Sequence, residues 1–164
     1  MHIFNEKDEG DIMRAILLNE IESWLQDNGW KYKKRQEAEI LEMDVKLQCG
    51  LEQCRVIVWM TEEYCVVVGR TPVKVEEEAR GRIGEYVCRA NYSMYDGHFD
   101  FNYDDGELRY KTILPQTINA GSRPEMIEEM LMRPAVMLDT YGPGFLKVWK
   151  QEEEPAEVIK DIDL

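Results

Sequence analysis

Four cysteines and two histidines are the side chains of this chain best suited to nucleophilic or metal chemistry. A nucleophile needs a base beside it, and His98 with Cys88 is the pair to consider, since His2 lies at the N-terminus. Nothing in the spacing of Cys88 and His98 brings them together. Cys49 and Cys54 flank a short connection typical of a hairpin, but structural zinc usually needs two closer pairs. We therefore predict reduced thiols, no catalytic residue, no metal and no cofactor.

An acidic segment at residues 100–106 has the composition of a calcium loop. An EF-hand loop needs glycine at position 6 and glutamate at position 12, where this chain, counted from Asp100, has Asp105 and Lys111. A β-hairpin explains the same residues better. The chain also lacks both glycine-rich phosphate-binding motifs, so the sequence does not point to an enzyme.

Two features indicate interaction surfaces, and the first lies in the last predicted helix. Met132 and Val136 form an i, i+4 pair on the side opposite the main apolar stripe of that helix. Because methionine adapts to varied partners, the pair is a candidate partner-binding or dimer patch. Scattered apolar residues are also normal on protein surfaces, so ordinary surface explains the pair equally well.

The second feature is a stripe of small residues in the second predicted helix. Gly81, Gly84 and Cys88 lie at positions i, i+3 and i+7. Each glycine costs a helix about 1 kcal/mol relative to alanine, so a close approach by another element would give the stripe a purpose. The same helix of a second subunit is a candidate for this approaching element, and the stripe would then be the contact of a homodimer. Two tolerated glycines are an equally good explanation.

The charge of the chain limits its partners. Its 164 residues include 20 basic and 33 acidic ones, for a formal net charge of -13. This excess disfavours nucleic acids and anionic membranes, because both attract clustered Lys and Arg. The basic run at 31–35 alternates with Trp30 and Tyr32, which places rings and charges on opposite faces. We therefore predict no nucleic-acid partner and no membrane partner.

Apolar periodicity predicts the elements that position these residues. Helical spacing between Asp11, a good N-cap, and Gly29 predicts a first helix. A second helix opens at Glu76, and a last one opens with the capping sequence Ser122–Glu125 and breaks at residues 142–144. Four strands are predicted between the first two helices, at residues 30–35, 41–47, 54–60 and 64–70. With a hairpin before the last helix, the order α-β-β-β-β-α-β-β-α predicts an α+β domain with a largely antiparallel sheet.

Two of these elements have a predicted core side. A two-residue turn at Asp105-Gly106 predicts that Phe101 faces Tyr110 and that Tyr103 faces Leu108. The second helix has a core stripe of five residues: Ala79, Ile83, Tyr86, Val87 and Ala90.

The folded domain is expected at residues 12–150. An acidic tail at 1–11 precedes it, and an acidic, disordered tail at 151–164 follows it, with apolar residues such as Val158 that make it a candidate docking segment. The N-terminus lacks the basic start and apolar run of a signal peptide, and no stretch reaches the ~18 apolar residues of a membrane span. We therefore expect a cytoplasmic protein.

Several short patterns of structural residues stand out: Trp24-Leu25 with Asn28-Gly29-Trp30, Pro72-Val73-Lys74-Val75, Arg89-Ala90-Asn91-Tyr92, and Gly97-His98-Phe99 leading into Asp105-Gly106-Glu107-Leu108-Arg109-Tyr110. Together they resemble the YbjN family of bacterial sensory transduction regulators, over roughly Ile21 to Trp149. The resemblance implies a fold similar to that of type III secretion chaperones, which are small acidic proteins that usually dimerise and bind segments of partner proteins. It implies no catalytic residues.

The leading hypothesis is therefore a non-enzymatic, dimeric interaction module, chaperone-like or regulatory, that binds a protein partner. The second hypothesis is a small-ligand sensor with a pocket between the sheet and the last helix. An enzyme is the third.

Overall fold

The computed structural model describes residues 6–35, 39–92, 94–115 and 123–162. These residues form, in chain order, α1 Glu6–Asp27, β1 Lys33–Arg35, β2 Ile40–Lys46, β3 Gln53–Met60, β4 Tyr64–Lys74, α2 Glu77–Asn91, β5 His98–Phe101, β6 Glu107–Pro115, α3 Arg123–Trp149 and α4 Pro155–Lys160. The predicted α+β class and element order are confirmed, with α4 added at the end.

The described strands belong to one antiparallel sheet with the order β1-β2-β3-β4-β6-β5. The apolar strands β3 and β4 lie in the middle, as strands with apolar residues on both faces should. After α2, the chain adds the β5–β6 hairpin at the free edge of β4, which puts β5 at the edge of the sheet.

The main core lies between one face of the sheet and the helices. α3 contacts β3, β4 and β6, and α2 contacts β5 and α3. The largest fully buried side chains come from both layers and include Val56, Val58, Tyr110, Leu131, Leu138 and Phe145. The predicted stripe of α2 is confirmed, since its five residues are the buried residues of that helix. We call this side of the sheet the core face and the opposite side the outer face.

The first helix begins earlier than predicted. α1 starts at Glu6, and Asp11 lies inside it, where its carboxylate accepts a hydrogen bond of 2.8 Å from Arg14. The predicted tail at 1–11 is therefore wrong for residues 6–11, which extend the helix without adding apolar residues whose spacing could be detected. The predicted end is confirmed, since Gly29 has a left-handed φ of +69°.

The last long helix continues through the predicted break at 142–144. α3 spans Arg123–Trp149, while its predicted N-cap, Ser122, lies outside the described residues. A Cβ atom at Gly142 would lie 2.7 Å from Cys49 Sγ, and one at Gly144 would lie 2.6 Å from the Tyr86 hydroxyl oxygen. These glycines therefore allow close packing on both sides of α3, and the packing holds the helix together where local propensity predicts a break.

The C-terminal segment packs against α2 instead of being a disordered tail. α4 buries Pro155 and Val158, and Arg82 Nη1 donates hydrogen bonds of 3.0 Å to both carboxylate oxygens of Glu154. The prediction of disorder at 151–164 is therefore wrong for α4. The glutamate-rich composition predicted disorder, but Val158 and Ile159 pack against the core of the same chain.

The β5–β6 hairpin has a longer turn than predicted, at residues 102–106. Phe101 pairs with Leu108 and Phe99 pairs with Tyr110, so the predicted pairing of Phe101 with Tyr110 is wrong by two residues. A shift of two keeps every side chain on its predicted face, which is why alternation did not distinguish the two registers.

Candidate interaction site

The outer face of the sheet carries apolar side chains that the core does not use. The register places Val66 opposite both Trp59 and Ile113, and Val68 opposite Ile57. Strand alternation puts these residues on the face opposite the core residues Val56, Val58 and Val67. We call the group the outer apolar patch, and its members are Ile40, Ile57, Trp59, Val66, Val68 and Ile113.

The outer apolar patch faces away from the helices. The buried side chains of all four helices belong to one cluster with the core face, and no member of the patch belongs to that cluster. Ile113 is 54% exposed, whereas Val66 and Val68 are 7% and 1% exposed. Cross-strand and diagonal neighbours such as Trp59 lie within reach of both valines on the same face.

The amino-acid sequence of β4 carries a signal of this patch. Residues 65–69 of β4 are all apolar or glycine, and in the structure they are buried on both faces of the strand. An antiparallel strand with one solvated face should alternate instead. An uninterrupted apolar run in a sheet covered by helices on one side therefore marks a second apolar face.

Beside the patch, three arginines lie directly opposite one another on neighbouring strands. Arg70 of β4 is in register with Arg55 of β3 and with Arg109 of β6. We call these three residues the arginine row, and Asp44 and Asp100 occupy its two ends. Like charges directly opposite one another destabilise a sheet, so the row needs compensation.

Carboxylates of the same chain offset part of this repulsion. Each arginine of the row has its own carboxylate partner: Arg55 Nε donates to Asp44 at 2.8 Å, Arg109 Nε donates to Asp100 at 3.0 Å, and Arg70 Nη2 donates to Glu107. Charge-assisted bonds of this kind are stronger than neutral ones. The row is therefore held in place by ion pairs on the surface of the sheet.

The pKa values of two of these carboxyl groups depend on burial, which raises them, and on hydrogen bonds from basic side chains, which lower them. Partial burial acts to raise the pKa of Glu107, but hydrogen bonds from Arg70 and Lys74 outweigh it and hold that pKa below its ordinary value. Burial likewise acts to raise the pKa of Asp100, and the hydrogen bond from Lys111, with further help from Arg109, lowers it. Both carboxylates are thus stabilised in their charged form.

This balance predicts a pH-dependent loss of stability at Glu107. The folded-state pKa of Glu107 is depressed. Its ion pairs therefore contribute to the free energy of unfolding above the ordinary glutamate pKa, and this contribution is lost as the pH falls through the folded-state pKa. We expect Glu107→Gln to lower the free energy of unfolding by about 1 kcal/mol at pH 7. The deficit should disappear in acid, as followed by urea unfolding across a pH series. Glu63→Gln, in the exposed β3–β4 turn, is the control and should show no such deficit.

The small-residue stripe of α2 divides into two parts in the structure. Gly81 is exposed, and a Cβ atom there would meet nothing within 4 Å. At Gly84, a Cβ atom would lie 1.5 Å from the hydroxyl oxygen of Tyr103. Tyr103 of the same chain, rather than a second subunit, therefore accounts for the glycine at position 84. Cys88 is exposed.

The predicted patch on α3 is also divided. Val136 is 55% exposed, in agreement with its expected position opposite the main stripe. Met132 is only partly exposed and packs against the core, so the two residues do not form one open apolar surface. Stripe residues such as Ile127 and Leu138 are buried as expected.

The candidate reactive residues lie in separate settings. Burial raises the pKa of Cys54 and of Cys65 to about 12, which keeps both thiols protonated and poorly nucleophilic. His98 Nε2 lies 3.0 Å from Asp100 Oδ1 at the edge of the arginine row. Within the described ranges, no group of three or more His, Cys, Asp or Glu side chains could hold a metal ion.

The space between the sheet and α3, where the sensor hypothesis places a pocket, is closely packed at Gly69. A Cβ atom at Gly69 would lie 2.5 Å from Pro134 Cβ. A cleft of about 450 Å³ lies elsewhere, between α1 and the start of α3, and includes Trp24 and Ile127 in its lining. Among the helices that the structure describes, none is both long and apolar enough to cross a membrane.

Comparisons with known proteins identify the family of this fold. The family model YbjN, "Putative bacterial sensory transduction regulator", matches residues 17–147. Among solved structures, the chain is similar to "Crystal structure of YbjN, a putative transcription regulator from E. coli", with 12% sequence identity and a TM-score of 0.55. The likeness covers 77% of this chain and 92% of that one, and at this identity it shows the fold alone. No curated protein matches the chain. Since the family model covers most of the sequence, the chain belongs to the YbjN family.

Proposed function

We propose that this protein is a non-enzymatic, cytoplasmic regulator that acts by binding another protein through the outer face of its sheet. The observation that carries the proposal is the outer apolar patch beside the arginine row. An apolar surface rimmed by charges is typical of a protein-binding site. The description of the family as regulators supports a role in which binding, rather than a reaction, is the activity.

The patch has the anatomy expected of a binding surface. Trp59 is the kind of large aromatic anchor that dominates binding energy. Ile113, on the other side of the buried Val66, offers exposed apolar area. The flanking ion pairs form a polar rim. A chaperone-like role, in which the face holds a segment of the partner, is the finer form of this proposal.

Partner capture from a bacterial lysate tests the proposal with matched variants. Ile113→Asp places a charge in the patch, and Ile12→Asp places one at a comparably exposed apolar position on α1. We expect Ile113→Asp to lose a stoichiometric protein partner that wild type and Ile12→Asp retain, with thermal unfolding used to confirm that each variant is folded. Retention of every partner by Ile113→Asp would overturn the proposal.

The same samples test the earlier candidate surfaces. If Val136→Asp alone loses the partner, binding takes place on α3 and not on the sheet. A homodimer through α2 is the second proposal, and it rests on the exposed Gly81 and Cys88, since Tyr103 of the same chain occupies the space at Gly84. Light scattering should then show a lower mass for Gly81→Leu than for wild type, and an unchanged mass would contradict a dimer through α2.

A further inference from the structure

We propose that the outer face binds an extended segment of another protein that is apolar at one end and acidic at the other. The apolar side chains of that segment would contact the outer apolar patch, and its carboxylates would contact the arginine row. This inference rests on the proposed function and names the chemistry of the partner.

The patch and the row adjoin along two central strands. Val68 and Arg70 are consecutive outward residues of β4, as are Ile57 and Arg55 of β3. Consecutive residues on one face of a strand are about 7 Å apart. A segment lying along these strands therefore passes from apolar contacts to guanidinium groups within a few of its own residues.

The arginine row retains capacity for further carboxylates. A guanidinium group has five N–H donors. Arg70 uses Nη2 for Glu107, and Arg109 uses Nε for Asp100, while the two arginine side chains are 47% and 40% exposed. A partner carboxylate would add charge-assisted hydrogen bonds and reduce the repulsion between neighbouring arginines.

Charge distribution favours an acidic partner at this face. The chain carries a net charge of -13, whereas the row and its three carboxylate partners sum to zero. With Lys74, Lys111 and Asp105, which belong to the same ion-pair network, five basic residues face four acidic ones. An acidic segment is thus repelled by the rest of the surface and directed to the arginine row.

Two other occupants fit this face less well. In a two-fold pair of this chain, the patch would lie on the partner's patch, and the arginine row would be left outside the contact or would face a second arginine row. A nucleic acid would contact only the arginine row and would leave the outer apolar patch uncovered, and the rest of a chain of net charge -13 would repel its phosphates. The adjoining apolar surface also suits a protein segment.

Fluorescence anisotropy with two synthetic peptides tests the proposal on the full chain. Both peptides carry the same apolar half with a tryptophan, and the other half is rich in glutamate in one and in serine in the second. We expect the glutamate peptide to bind at least about tenfold more tightly, with an affinity that falls as salt is added. Arg70→Gln should remove most of this preference, because it removes one of the guanidinium groups that the glutamate peptide would contact. The substitution leaves Glu107 paired, since Lys74 stays its partner at 3.1 Å.

Arg89→Gln is the matched control, because Arg89 is 46% exposed and is ion-paired to Glu85 on α2. It should bind both peptides as wild type does, and Arg109→Gln should repeat the result of Arg70→Gln. Equal affinity for the two peptides, binding of neither, or tighter binding of a single-stranded oligonucleotide would overturn the proposal. The capture experiment with Ile113→Asp is independent of these peptides, so the proposed function can stand when the acidic chemistry fails.

Discussion

We expect Gly106→Ala to lower the free energy of unfolding by about 3 kcal/mol. Gly106 has φ of +72°, in the left-handed region, and a Cβ atom there would lie 2.1 Å from the carbonyl oxygen and 2.6 Å from the nitrogen of Val75. Backbone atoms cannot rotate away as a side chain can, so the hairpin turn must move. Urea unfolding monitored by circular dichroism measures the loss.

Gly29→Ala separates backbone strain from the steric clash. Gly29 has nearly the same conformation, with φ of +69°, but a Cβ atom there would meet nothing within 4 Å. This variant should therefore lose only the strain of a left-handed alanine, about 1 kcal/mol. Equal losses in the two variants would show that the contact with Val75 contributes nothing.

The contact at Gly106 also links the hairpin to the candidate site. The Val75 N–H donates a hydrogen bond of 2.9 Å to the Gly106 carbonyl oxygen, and the next residue, Glu107, accepts a hydrogen bond from Arg70. The junction between β4 and α2 thus fixes the start of β6. If Gly106→Ala displaces the turn, the preference for an acidic peptide should weaken together with stability.

Periodicity predicted the elements whose burial follows a single regular pattern. The stripe of α2 is correct because a helix that packs on one side buries residues at helical spacing, as Ala79, Ile83 and Tyr86 show. The hairpin shows the limit of the method: alternation fixes which face Phe101 occupies, but the turn at 102–106 fixes its partner. A local turn signal at Asp105-Gly106 was therefore sufficient for the element and insufficient for its register.

The candidate site could not be predicted from the sequence, because it depends on the order of the strands in the sheet. Arg55, Arg70 and Arg109 are far apart in the sequence, and they become neighbours only when β6 pairs with β4. No periodic pattern along the chain encodes that pairing. The outer apolar patch could be predicted in part from the sequence, since the apolar run at 65–69 indicates that β4 has two apolar faces.

Close packing explains why α3 continues through residues that usually end a helix. Pro134 and Pro143 lie inside the helix, and each removes one backbone hydrogen bond. Pro134 packs onto Gly69 of β4, where any side chain would collide with it. The proline ring of α3 therefore fits the space that the absent side chain of Gly69 leaves on β4. This complementarity cannot be predicted from either segment alone.

This fit predicts that Gly69→Ala is destabilising and that a second substitution relieves it. The new Cβ atom would lie 2.5 Å from Pro134 Cβ and 3.4 Å from Leu138 Cδ1, so α3 must move away from the sheet, at a loss of about 1–3 kcal/mol. Pro134→Gly removes the colliding atom. The double variant should therefore be more stable than the sum of the two single losses predicts, by about 1 kcal/mol, in urea unfolding of all four proteins. Gly10→Ala, at an open position within α1, controls for the added methyl group and should not destabilise the protein. Additive losses in the cycle would mean that Gly69 and Pro134 do not contact each other in solution, and close packing would then not explain why α3 continues through its prolines.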